Sequence, residues 1–161
     1  MGFFRKRFGK PADSLYAPIC GKVVPLSEVP DPTFAEGMLG KGVAIEPAEG
    51  KVYAPCDAVV DMMFDTGHAV SLIAEFGAEI LIHVGLETVG LNSGPFTVHA
   101  ANGDKVKKGQ LLIEADLDAV KAAGLPAITP VLVCNPDGFS TFNPLVGKYV
   151  TNADVVIELA K

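Results

Sequence analysis

Apolar and polar positions in this chain alternate in runs of only a few residues, and Gly or Pro separates almost every run from the next. Val23, Val43, Ile45, Val60, Leu72, Ile80 and Ile82 each sit beside polar or small neighbours at a spacing of two, the period of a strand with one buried face. This pattern predicts strands at 21–26, 42–47, 51–54, 58–64, 69–74, 79–84, 105–106, 110–115, 129–133 and 155–159. Many short strands at this spacing predict an all-β fold: an antiparallel β-sandwich or flattened barrel with one or two short connecting helices. Residues 116–124 carry the helix signature, with Asp116 as cap, Leu117 and Val120 on one face and Gly124 as terminator. Pro30-Asp31-Pro32-Thr33-Phe34 is too proline-rich for a strand and predicts an ordered loop or a short 3₁₀ turn.

At 161 residues the expectation is a single domain over 15–161, preceded by a distinct segment at 1–14. Residues 1–10 interleave Phe3, Phe4 and Phe8 with Arg5, Lys6, Arg7 and Lys10 in a chain whose net charge is -6. Two readings stand: a segment lying on an anionic membrane surface, and a disordered solubilising tail. The acidic balance of the remainder, with a pI near 5.0, argues against nucleic acid as a partner. No apolar run is long enough to span a bilayer, so a soluble protein is expected. Cys20, Cys56 and Cys134 are odd in number, show no metal-ligand spacing and read as small core residues of a reduced, cytoplasmic protein.

The candidate chemistry lies in Asp65-Thr66-Gly67-His68-Ala69-Val70 and in Ile82-His83-Val84-Gly85-Leu86-Glu87-Thr88-Val89. Each histidine is the polar member of an apolar run, and if the two strands pair, alternation sends both rings out of the same sheet face. A weak internal echo, Ala17-Pro18 to Val24 against Ala54-Pro55 to Val60, and a β-arch pattern over 103–113 suggest repeated strand entries.

These two motifs, with Val29-Pro30-Asp31-Pro32-Thr33-Phe34-Ala35-Glu36 and Gly40-Lys41-Gly42-Val43 before them, closely resemble the glucose-type enzyme IIA proteins of the bacterial phosphoenolpyruvate-dependent sugar phosphotransferase system. The resemblance covers about residues 15 to 160. It implies a phosphoryl carrier that is phosphorylated on a histidine by the phosphocarrier HPr and that passes the group to a cysteine of a sugar-permease IIB domain. On that pattern His83 is the acceptor, and its second ring nitrogen is held by the backbone carbonyl of Gly85. His68 donates to the phosphoryl oxygens, and the Thr66 hydroxyl orients the pair. Phe34, Met38, Leu39, Phe64, Val70, Leu81 and Val89 are expected in an apolar docking depression, with Asp31 and Glu87 facing basic residues of HPr. No metal or cofactor is expected, because the group moves between protein side chains.

Two other classes compete. A His68/His83 pair could bind zinc in a hydrolase-like β-sandwich, although the chain lacks the His-x-His and His-x-x-x-Asp spacings that supply a third ligand. A lipoyl or biotinyl carrier would display a lysine in Met-Lys-Met or Asp-Lys-Ala, and neither occurs.

Overall fold

The structure is a computed structural model that describes residues 13–92 and 94–161. The basic segment 1–10, with its membrane-surface reading, lies outside the described residues. Fourteen strands are described: β1 (Leu15–Tyr16), β2 (Gly21–Pro25), β3 (Lys41–Pro47), β4 (Lys51–Tyr53), β5 (Ala58–Met63), β6 (Ala69–Ala74), β7 (Glu79–His83), β8 (Phe96–Val98), β9 (Lys105–Val106), β10 (Leu111–Ala115), β11 (Thr129–Val133), β12 (Thr141–Pro144), β13 (Tyr149–Val150) and β14 (Val155–Ala160). The expected strands at 69–74, 105–106 and 129–133 match the observed bounds. Strands β1, β8, β12 and β13, each of two to four residues, lie outside the expected strands.

Among the described residues two short α-helices connect the strands. Helix α2 (Leu117–Ala122) is capped by the Asp116 carboxylate, which accepts from the Ala119 amide at 3.1 Å. Residues 32–35 differ from the expected loop or 3₁₀ turn and form a single α-helical turn, α1 (Pro32–Ala35). Pro32 occupies the first helical position, where its fixed φ is an advantage, and Asp31 caps the turn by accepting from Thr33 N at 3.0 Å.

Every pairing between strands is antiparallel. An eight-stranded sheet runs β9-β5-β6-β7-β11-β3-β2-β13, and two three-stranded sheets, β4-β10-β8 and β12-β14-β1, accompany it. The order is palindromic in its registers. Val23 accepts from Gly147 N and donates to Lys148 O, as Val60 does with Gly103 N and Asp104 O. Lys22 pairs with Tyr149 as Val59 pairs with Lys105, and Val43 pairs with Val131 as Val70 pairs with Ile82. The echoed segments cross each other reciprocally: Tyr16 N donates to Pro55 O at 2.9 Å and Tyr53 N to Pro18 O at 2.7 Å. The echo in the sequence is thus one half of an approximate two-fold repeat whose centre lies between Ile82 and Val131, a paired couple.

Strand alternation divides the apolar residues of the large sheet between two clusters. Val23, Val43, Ile45, Val70, Leu72, Ile80, Ile82, Val131 and Val133 face the main core, which they share with Leu112, Ile113, Ile157 and Leu159 of the small sheets. On the opposite face Val24, Ala44, Leu86 and Leu132 form a second cluster beneath Leu26, Val29 and Phe34, with Leu81 packed against it. The second cluster is the floor of the site described next.

Close backbone approach makes Gly42 irreplaceable at the centre of this sheet: a Cβ there would lie 1.9 Å from the Val131 carbonyl oxygen. Gly42→Ala is expected to lower unfolding free energy by about 2 to 3 kcal/mol in urea titration. Gly138→Ala meets nothing within 4 Å and should stay within about 0.5 kcal/mol of wild type.

Candidate functional site

His83 is the last residue of β7 and faces away from the main core, because Ile80 and Ile82 take the inward positions. His68 reaches the same place by another route. It lies in the turn before β6, not on a strand, so alternation does not aim it; the turn Thr66-Gly67 does. Gly67 has φ +76, and a Cβ there would meet Phe96 Cβ at 2.9 Å, so the turn is both left-handed and pressed against β8. Pairing of Ala69 with His83, and donation from Val84 N to His68 O at 2.7 Å, then fix the two residues side by side.

The ring centroids of His68 and His83 are 4.9 Å apart at 79°, edge to face. Phenylalanines close the surroundings: Phe34 is 5.1 Å from His83, Phe64 is 5.3 Å from His68, and Phe96 is 6.5 Å from His68. His68 is 3% exposed, whereas His83 is half-buried and keeps one side open.

Each ring has one defined partner. His83 Nδ1–H donates to the Gly85 carbonyl at 2.7 Å, because a carbonyl can only accept. In the neutral ring that bond leaves Nε2 unprotonated, with its lone pair available. His68 Nδ1 is hydrogen-bonded to the Thr66 hydroxyl. When the hydroxyl donates, the proton of His68 resides on Nε2, an N–H donor beside the nucleophilic ring.

Burial decides the charge of the pair. Desolvation, followed by the field of His83, lowers the His68 pKa from 6.5 to about 4. His83 is also lowered by desolvation, and its bond to Gly85 and the charge of Asp31 oppose part of that effect. Both imidazoles are neutral at pH 7. An uncharged nucleophile next to an N–H donor, in a shallow apolar recess, can take a phosphoryl group and stabilise its oxygens.

A family model for the phosphoenolpyruvate-dependent sugar phosphotransferase system, EIIA 1, matches residues 13–139. The chain belongs to this family. It is similar to the glucose-specific EIIA component of Oceanobacillus iheyensis, 46% identical over 124 residues that make up 77% of this chain and 75% of that protein. The β-glucoside-specific EIIBCA component of Dickeya chrysanthemi is 44% identical over 142 residues, 88% of this chain, and the chain spans 22% of its length. Glucose permease IIA from Mycoplasma capricolum superposes with a TM-score of 0.83 at 32% identity, covering 98% of both chains. This EIIA is therefore a phosphotransferase component that carries a phosphoryl group on a histidine, in the β-sandwich fold expected from its sequence. The matches give no support to the zinc-hydrolase reading, and among the described residues no three His, Cys, Asp or Glu side chains converge.

The residues expected in the docking depression separate into three groups. Met38, Leu39 and Val89 are 71%, 41% and 55% exposed, and Glu87 is exposed as well, so all four are at the surface. Phe64 and Leu81 are half-buried in its wall and floor, and Asp31 lies close enough to influence His83 while capping α1. Val70 is a correction: it is fully buried, pairs with Ile82 and belongs to the main core, because the position next to Ala69 on β6 faces inward. Phe34 is also a core residue of the second cluster, with its ring tilted at 57° against that of His83.

Two neighbours escaped the sequence reading. Phe96 stands on a three-residue strand with no pattern to mark it, and Thr88, present in the motif, gave no sign of being wholly buried. His99 lies apart and pairs with Glu114 at 2.8 Å on the surface. Cys56 is buried with its thiol pushed up to about 12 by desolvation, then by Asp57 and Glu75, but Cys134 is exposed, contrary to the expectation of a core residue.

Between about pH 6.5 and 4 the unfolded chain takes up a proton at position 68 that the folded chain refuses, so stability falls as pH falls through that window. The loss is on the order of 3 kcal/mol. Urea titrations at pH 7 and pH 4.5 should show a steeper loss for wild type than for His68→Gln, and parallel losses would remove the assignment. Val89→Asp should leave the melting temperature unchanged, whereas Phe34→Ala should cost about 3 to 5 kcal/mol by opening the second cluster.

Proposed function

We propose that His83 accepts a phosphoryl group from phosphorylated HPr and passes it to a cysteine of a sugar-permease IIB domain, for glucose or a related sugar. The observation that carries this reading is the bond from His83 Nδ1 to the Gly85 carbonyl, which leaves Nε2 of a half-buried ring as the free nucleophile. Nε2 attacks phosphorus as the bond to HPr breaks, and in the second half the cysteine sulfur attacks as the bond to Nε2 breaks. His68, oriented by Thr66, donates to the phosphoryl oxygens while charge shifts across the transferring group.

Donor and acceptor use the same face in turn. Met38, Leu39 and Val89 exclude water around the transferring group, and Asp31 and Glu87 supply acidic contacts for a basic donor. The glucose-specific and β-glucoside-specific names of the relatives support the sugar class. Among the described residues no helix is long and apolar enough to cross a membrane. The protein works in the cytoplasm, next to the inner face where a IIB domain is presented, and residues 1–10 are a candidate contact with that face.

The test is incubation with phosphoenolpyruvate, enzyme I and HPr, followed by mass analysis under alkaline conditions. Wild type should gain one phosphoryl group and His83→Ala none. His68→Ala should gain one and transfer it poorly to the IIB domain. A wild type left unmodified by HPr that phosphorylates a control EIIA would overturn the reading, and so would a His83→Ala variant that still gains the group.

A further inference from the structure

Position 88 is a threonine with no exposed surface, five residues beyond His83 in the chain. Its hydroxyl donates to the Val84 carbonyl at 2.6 Å. Its methyl lies against Gly85: a Cβ built on that glycine would fall 2.7 Å from Thr88 Cγ2 and 2.8 Å from the Pro126 carbonyl oxygen. Gly85 itself has φ +74 and Glu87 has φ 58, so the segment from 85 to 87 turns through two left-handed residues.

Such a turn has no ladder to hold it, yet its Gly85 carbonyl must point at His83 Nδ1. Two planar peptides determine that direction. In the peptide joining residues 84 and 85, the carbonyl is bound by Thr88. In the peptide joining residues 85 and 86, Leu86 N–H donates to Pro126 O at 3.1 Å, while the carbonyl on the opposite edge accepts from His83. Val84 N, bonded to His68 O, anchors the start of the turn to the other histidine.

We propose that Thr88 is a positioning residue for phosphoryl transfer, acting through the Gly85 carbonyl to hold His83 in the tautomer that leaves Nε2 unprotonated. The inference rests on the proposed role of His83 as acceptor. Removing the hydroxyl frees the Val84 carbonyl, lets the Gly85 peptide rotate and loosens the acceptor that fixes the proton on Nδ1.

The experiment compares wild type, Thr88→Val and Thr88→Ser by two readouts: the His83 tautomer from ¹⁵N shifts of the unphosphorylated protein, and the rate of phosphoryl gain from phosphorylated HPr. Thr88→Val should show mixed tautomers and a kcat about tenfold lower with KM for HPr unchanged, and Thr88→Ser, which keeps the hydroxyl, should restore both. If the valine variant fails to fold, Thr88→Cys, a much weaker donor, takes its place with the same expectation. Wild-type tautomer and kcat in the variant without the hydroxyl would overturn the proposal. So would a loss in the serine variant with none in the valine variant, which would mark Thr88 as a filler of space through its methyl. Failure of the acceptor reading itself is distinguishable, because the wild type would then gain no phosphoryl group while the tautomer comparison would still report on Thr88.

Discussion

The pairing of Ile82 with Val131 at the centre of the large sheet is the constraint on which the site depends. Side chains on a strand alternate faces, so a slip of one residue would turn Ile80 and Ile82 outward and carry His83 into the main core. Burial of Ile80, Ile82, Val131 and Val133, none more than 1% exposed, makes that slip prohibitively unfavourable. Neighbouring strands extend the constraint: β6 pairs Ala69 with His83, and the turn before it then has only one place to leave His68. The site is thus positioned by apolar residues that never touch it.

Electrostatics turns that placement into reactivity. Two imidazoles at 4.9 Å, beside Phe34, Phe64 and Phe96, cannot both carry a positive charge without losing hydration that the aromatic walls do not replace. Burial among these walls therefore favours an uncharged His83, and the Gly85 carbonyl chooses which of its nitrogens carries the lone pair. A polar pair inside an apolar recess is unfavourable for folding and useful for transfer. The surrounding clusters supply the stability that offsets it.

Much of this was legible in the order of residues. Alternation over 69–74, 79–84 and 129–133 located the three strands that frame the site, and the family motifs marked His68, His83, Thr66 and Gly85, which the structure brings together. Alternation misled where it was extended past a strand end, since His68 is aimed by the turn at Gly67. Hydrophobicity alone could not separate Val70, which faces inward, from Val89, which faces water, because both are valines beside the motif and only the register distinguishes them. Phe96 and Thr88 were illegible for a similar reason: their roles come from contacts made across the fold.

The two-fold repeat of the sheet has a further meaning for the molecule's chemistry. In the repeat, Leu132 pairs with Gly42 as His83 pairs with Ala69, and Lys41 stands in the place of His68. One half of the repeat carries the histidine pair, and the corresponding leucine of the other half is packed into the second cluster beneath it. The repeated architecture is therefore asymmetric in its side chains, with polar imidazoles in one half and an apolar support at the equivalent position of the other. A change at Leu132 would accordingly be felt through the second cluster by Phe34, which lies against His83, although Leu132 belongs to the other half of the fold.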